Sequence, residues 1–284
     1  MTPPPAAVDV EVEPGLRLQG SWWDSAPSVS PRGRVVLVHG LGDHGGRYAT
    51  LVSALTEAGW GVVAVDQRGH GRSPGPRGVL DSFERLLDDL RAVRRWTLER
   101  DPAAGAPVLY GHSMGGLVAL RSVQREPDDW TAAVISAPWL GTAAPIAWWK
   151  RVAEAPLARW LPRMTVAAGL RAEQLTADPD RRAEWRSDPL THDRVSAGLS
   201  TAVRGAQRRA LAEEWPAGVP GLFVVPGADP VADADVTRAW AARQPPGRID
   251  VEVVEGGLHE PHNDRDREAV CRRIAAWATL HARG

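Results

Sequence analysis

Four runs of consecutive apolar residues set the terms for this chain: RVVLVHG (34–40), GVVAVD (61–66), APVLYG (106–111) and WTAAVISAP (130–138). Each is short, and none shows the apolar–polar alternation of a strand with one wet face. Strands apolar on both sides belong inside a parallel sheet that is covered on both faces. Segments of helical period separate them: TLVSALTEAG (50–59), which stops at a glycine, FERLLDDLRAVRRWTLER (83–100) and MGGLVALRSVQRE (114–126). Repeated strand–helix–strand order predicts a mostly parallel central sheet with helices on both faces. VDVEVE (8–13) alternates apolar and acidic residues, as an edge strand does.

After residue 138 the alternation stops for about sixty residues. It resumes with VPGLFVVPG (219–227), a helix around 235–243, the strand RIDVEVVEG (248–256) and a final helix near 264–281. We therefore expect a core made of 1–138 and 206–284, with 139–205 inserted as a helical cap. With 284 residues, 43% of them apolar, one large α/β domain can bury a core.

Bulk chemistry removes several function classes. A net charge of −1 provides no basic field for a nucleic-acid partner. Cys271 is the single cysteine, so an intramolecular disulfide and a Cys-based zinc site are excluded. No run of apolar residues has the length of a spanning helix, and the N-terminus lacks a basic-then-apolar leader. The expectation is a cytoplasmic protein.

Gly40, Gly42 and Gly45 in VVLVHGLGDHGG (35–46) satisfy G-x-G-x-x-G directly after a strand, and Asp66 closes the next strand. That arrangement is the fingerprint of a dinucleotide-binding oxidoreductase. The surroundings argue against it. Asp43 sits inside the loop, where bare amides should face a pyrophosphate. Asp66 runs on into a long Gly/Arg loop, QRGHGRSPGPRG (67–78).

A second glycine motif carries more chemistry. In VLYGHSMGGLVAL (108–120), Ser113 stands in G-x-S-x-G between a strand and a helix, the context of a nucleophile elbow. A plain tight turn is the alternative. A serine nucleophile needs a base and an acid, in the chain order Ser, Asp or Glu, His for this type of sheet. His259 falls just after the last strand and is the favoured base, with His262 second. His192 precedes the later strands, and His281 lies at the C-terminal end. HEPH (259–262) lacks zinc-helix spacing and contains Pro261, so no metal site is implied. Asp229, in VVPGADPVADAD (224–235), is nearest the strand end, while Asp233 and Asp235 suit helix capping. An oxyanion hole would use the backbone N–H groups of Leu41 and Met114.

Together HGLGDHGGRY (39–48), VDQRGHGRSPGPRG (65–78), GHSMGG (111–116), DPL (188–190) and HEPHND (259–264) resemble the monoacylglycerol lipase and lysophospholipase branch of the α/β-hydrolases. The likeness runs from about residue 14 to 282 and is weakest in the cap. It implies the α/β-hydrolase fold and triad positions for Ser113, Asp229 and His259. It also implies oxyanion positions for Leu41 and Met114 and hydrolysis of fatty-acyl esters without a cofactor. The sequence departs from the pattern at Gly227, two rather than three residues before the acid, and at Leu258, where relatives place an aromatic. General carboxylesterases and peptidase-like hydrolases share the family.

In WLGTAAPIAWWKRVAEAPLARWLPRM (139–164), Trp139 precedes Ile146, Trp149, Ala153, Leu157, Trp160, Leu161 and Met164, which recur at spacings near three and four. Such a face either packs the cap onto the core or lines an acyl tunnel over Ser113, with a tip that transiently touches a membrane or micelle. Asp188 is expected to help fix the cap's return. The partner implied is a lipid-like ester substrate.

Overall fold

The computed structural model describes residues 4–143 and 159–282. The expected alternation is present as β1 (Ala6–Glu13), β2 (Leu16–Trp23), β3 (Gly33–Val38), α1 (Ala49–Glu57), β4 (Trp60–Val65), α2 (Glu84–Arg100), β5 (Val108–His112), α3 (Met114–Arg125) and β6 (Ala132–Ser136). There follow β7 (Thr165–Ala167), α4 (Ala172–Leu175), α5 (Pro179–Ser187), β8 (Arg194–Ser196) and α6 (Ala197–Ala212). The chain closes with β9 (Gly221–Pro226), α7 (Ala234–Ala241), β10 (Ile249–Val254) and α8 (Arg267–His281).

One eight-stranded sheet runs β1-β2-β4-β3-β5-β6-β9-β10. β1–β2 and β2–β4 pair antiparallel, and every other neighbouring pair is parallel. This is the α/β-hydrolase fold, with β5 and the serine behind it near the middle of the sheet.

Strand periodicity explains how both faces are filled. Val36, Val38, Leu109 and Ile135 point into a layer under α2, α3 and α6, against Leu86, Leu90, Leu117, Val203 and Ala206. Their neighbours Val35, Leu37, Val108 and Val134 point the other way, onto Leu51 and Leu55 of α1 and Val270 and Ile274 of α8. Each fully buried side chain of this kind contributes roughly 1.5–3 kcal/mol by leaving water, which is why these runs are apolar on both sides. Among the described residues, no helix is long and apolar enough to cross a membrane.

Besides the antiparallel pair β7–β8 inside the segment expected to be a helical cap, the structure departs from the sequence reading in two places. β2 was not anticipated, because Gln19, Gly20 and Ser21 break the apolar pattern of LRLQGSWW. Gly20 is required there: a Cβ would lie 2.4 Å from the Ala64 carbonyl oxygen of β4. The second departure is the cap boundary expected at 205/206, which falls inside α6. Leu199 and Val203, on the cap side of that boundary, pack in the main core.

Parallel strands all end at one edge, so the loops after β3, β5, β9 and β10 gather there. The described part of the insertion docks on the same edge. His192 N–H donates to Gly42 O at 3.0 Å, and Ser196 N–H donates to Gly78 O at 2.8 Å. Asp188 Oδ2 lies 2.8 Å from His44 Nε2, as its expected role in the cap's return requires. Of the expected cap residues, Ile146, Trp149, Ala153 and Leu157 lie outside the described residues.

Candidate active site

Ser113 is held at φ 54° and ψ −117°, a region costly for any residue with a Cβ. The turn is enforced from both sides. Ser113 N–H donates to Ser136 O at 3.0 Å, and its carbonyl accepts from Leu117 and Trp139, each at 3.0 Å. The flanking glycines are dictated by contact. A Cβ on Gly111 would meet Gly115 O at 2.3 Å, and one on Gly115 would meet Val38 O at 2.2 Å. Gly111 therefore lets β5 approach α3, and Gly115 lets α3 approach the end of β3.

Three residues far apart in sequence converge at this turn. His259 Nε2 lies 2.9 Å from Ser113 Oγ, and His259 Nδ1 lies 2.8 Å from Asp229 Oδ2. With Nδ1–H donating to the carboxylate, Nε2 is left to accept the serine proton. The other carboxylate oxygen, Asp229 Oδ1, accepts from Val231 N–H at 2.8 Å and Ala232 N–H at 3.0 Å. The acid loop is tied to the histidine loop by Gly227 N–H to Val254 O at 2.8 Å and Ala228 N–H to Gly257 O at 3.0 Å.

The other candidates are placed elsewhere. Asp233 caps α7 and Asp235 pairs with Arg238 on the surface. His262 is fully buried, stacked 4.3 Å from Tyr48, and burial pushes it down to about 4. His192 N–H donates to Gly42 O at 3.0 Å, and His281 Nδ1 lies 2.9 Å from Trp277 O.

Burial alone would lower His259, but the charge and hydrogen bond of Asp229, with Glu260 and Asp43 beyond, raise it above the ordinary value of 6.5. A general base must be neutral to accept a proton, so activity should be lost as pH falls through this raised pKa. The acid limb of a kcat/KM–pH profile for a neutral ester is expected above pH 6.5. A limb well below that value would contradict this electrostatic picture.

The loop after β3 lies against the serine: a Cβ on Gly40 would come 3.2 Å from Ser113 Cβ. It is braced by His39, whose Nδ1–H donates to Gly40 O at 2.8 Å and whose Nε2 accepts Gln67 N–H at 2.8 Å. Leu41, next to Gly40, lines the same cavity as Ser113, and Met114 opens α3, where first-turn amides have no intrahelical partner. The same contacts dispose of the dinucleotide alternative. Gly45 N–H already donates to Asp66 Oδ1 at 2.8 Å, and the His192 carbonyl lies 2.0 Å from where a Gly42 Cβ would stand. A carboxylate and the cap's return segment occupy the space a pyrophosphate would need.

A cavity of about 130 Å³ opens at Ser113. Leu41, Trp139, Leu170, Leu175, Trp185 and Val231 form its apolar wall, and Asp43, Arg47 and Glu260 its charged end. Trp139 is therefore at the site, whereas Trp160 is 74% exposed and is not among the lining residues. The charged end was missed in the sequence. Arg47 Nη1 and Nη2 donate to both oxygens of Glu260 at 2.9 and 2.7 Å, and Nη1 donates to Asp43 Oδ1 at 3.0 Å. Burial would raise Glu260, but Arg47 outweighs it and holds the carboxyl down to about 2. Charged residues inside otherwise small and apolar motifs were the available signal.

The family model described as "Serine aminopeptidase, S33" matches residues 29–266. The chain is 28% identical over 268 residues to a monoacylglycerol lipase of Mycolicibacterium smegmatis, covering 94% of each. It is 28% identical over 247 residues to a phospholipase of Bacillus subtilis, covering 86% of this chain and 93% of the relative. A crystal structure of Paleococcus ferrophilus monoacylglycerol lipase superposes with a TM-score of 0.84 at 31% identity, covering 93% of this chain and 99% of that one. With this fold and this site geometry, the chain belongs to the serine aminopeptidase S33 family of α/β-hydrolases.

Proposed function

We propose that this protein hydrolyses carboxylic esters of fatty acids, monoacylglycerols foremost, through an acyl-Ser113 intermediate. The observation that carries the reading is the Asp229–His259–Ser113 hydrogen-bonded chain opening on a largely apolar cavity. Ser113 Oγ attacks the carbonyl carbon while its proton passes to His259 Nε2. The imidazolium, stabilised by Asp229, gives that proton to the departing glycerol oxygen as the ester C–O bond breaks. Water then attacks the acyl-enzyme, delivering a proton to the same nitrogen; His259 returns it to Ser113 Oγ as the acyl–oxygen bond breaks and the fatty acid leaves. Amides of Leu41 and Met114 stabilise the oxyanion, an effect on the order of 10²–10³ in rate per donor.

Substrate class is supported by the cavity wall and by the named activities of the relatives. A volume of about 130 Å³ is close to that of an engineered protein cavity that binds benzene, enough for the ester and the first carbons of a chain. The exposed group Trp160, Leu161, Met164 and Val166, with Arg159 and Arg163 beside it, supports brief contact with a membrane or micelle from a cytoplasmic setting. The Bacillus relative's name supports phospholipid esters as a second substrate class, of which lysophospholipids carry the single acyl chain that suits this cavity. A peptidase role is less well supported, since Asp43 and Glu260 are both engaged by Arg47 rather than free to take an amine.

The test is a series of monoacylglycerols of increasing chain length, run beside lysophosphatidylcholine and an aminoacyl amide. Medium and long chains are expected to exceed acetyl esters by at least about tenfold in kcat/KM, since each buried methylene is worth ~0.8 kcal/mol. A preference for acetyl esters would sink the acyl-binding assignment.

A further inference from the structure

The Asp43–Arg47–Glu260 cluster joins two loops that the proposed chemistry must keep in register. Asp43 and Arg47 belong to the segment that carries Leu41, and Glu260 follows His259 directly. The three side chains are 6%, 9% and 4% exposed, and the Arg47 fork grips Glu260 through two parallel hydrogen bonds. Each carboxylate accepts from a further side chain as well. Tyr48 Oη–H donates to Asp43 Oδ2 at 2.9 Å, and Asn263 Nδ2–H donates to Glu260 Oε2 at 3.0 Å. A buried, bidentate guanidinium–carboxylate pair is directional and poorly screened. It holds its two backbones at one separation.

We propose that Glu260 is a positioning residue, which through Arg47 locks the His259 loop to the loop bearing the Leu41 amide, so that base and oxyanion donor share one rigid frame. The inference rests on the catalytic reading of Ser113 and His259. It assigns Glu260 no contact with the reacting atoms. Misplacing a base or donor by even an ångström costs about a hundredfold in rate, which gives the clamp its expected size.

The cluster carries two negative charges and one positive. His259 is faced by Asp229 and Ser113, by the rings of His112 and His262, and by Asp43 and Glu260, with Arg47 behind them. Removing the Glu260 charge makes the imidazolium less favourable, so His259 should protonate at lower pH.

Glu260→Gln is the first variant, because Arg47 keeps Asp43 and is not left buried without a counter-charge. The second is Arg47→Gln/Glu260→Gln, which restores the cluster's net charge but not the clamp. Active sites are counted by fluorophosphonate labelling, and turnover of a long-chain monoacylglycerol is followed against pH. Glu260→Gln is expected to lower kcat per labelled site by about 10–100-fold, with KM within about threefold and the acid limb moved to lower pH. The double variant should keep the low kcat while its acid limb returns toward wild type. Wild-type kcat per labelled site in either variant would overturn the clamp. So would a fixed acid limb with activity lost only in step with the number of sites. Absence of label at Ser113 in the wild type would strike the catalytic reading itself, whatever Glu260 does.

Discussion

Ser113→Ala is expected to lower ester turnover by about 10⁵–10⁶-fold while the protein stays folded. The change removes one oxygen and keeps the Cβ, so the strained turn at φ 54° is neither relieved nor worsened. The backbone contacts that hold the turn, to Ser136, Leu117 and Trp139, do not involve the hydroxyl. What disappears is the atom 2.9 Å from His259 Nε2. A p-nitrophenyl ester assay, a thermal melt and fluorophosphonate labelling followed by peptide mapping make the comparison. Label should sit on Ser113 in the wild type and vanish in the variant. Turnover at wild-type level with an unchanged melt would show that another group is the nucleophile.

Asp229→Asn should reduce kcat by about 10⁴-fold, with little change in stability. The amide oxygen can still accept the Val231 and Ala232 N–H groups that Asp229 Oδ1 now accepts, so the loop should hold its shape. The amide nitrogen then faces His259 Nδ1, and a donor there forces the imidazole into the tautomer with its proton on Nε2. That nitrogen can no longer take the serine proton, and the neutral amide no longer stabilises imidazolium. Steady-state kinetics with a long-chain ester, beside a melting curve, tests this. Retention of more than about a tenth of wild-type kcat would move the acid to another residue.

Much of this fold is legible in the amino-acid sequence. Apolar runs at 34–40, 61–66, 106–111 and 130–138 all became strands, because a strand buried on two faces leaves no position for a polar side chain. Gly111, Ser113 and Gly115 marked the elbow for an equally local reason: two backbones approach there without room for a Cβ. β2 stayed hidden since its glycine answers to a neighbour on β4, and β4 lies more than thirty residues further along the chain. The boundary expected at 205/206 falls within α6, whose Leu199 and Val203 pack in the main core; helical period does not change where the packing partner does.

The sequence by itself determined the strand–helix order and the tight turn that holds Ser113. These follow from sterics and periodicity acting over a few residues. Tertiary structure decided which of three aspartates faces the imidazole, since Asp229 and Asp233 make the same kind of local loop and cap hydrogen bonds. It also decided that GxGxxG is a braced loop over Ser113 rather than a phosphate cradle, and that Arg47 meets Glu260. Those outcomes depend on which loops the parallel sheet gathers at one edge. No local pattern encodes the distance between residues the chain brings together only when the sheet closes.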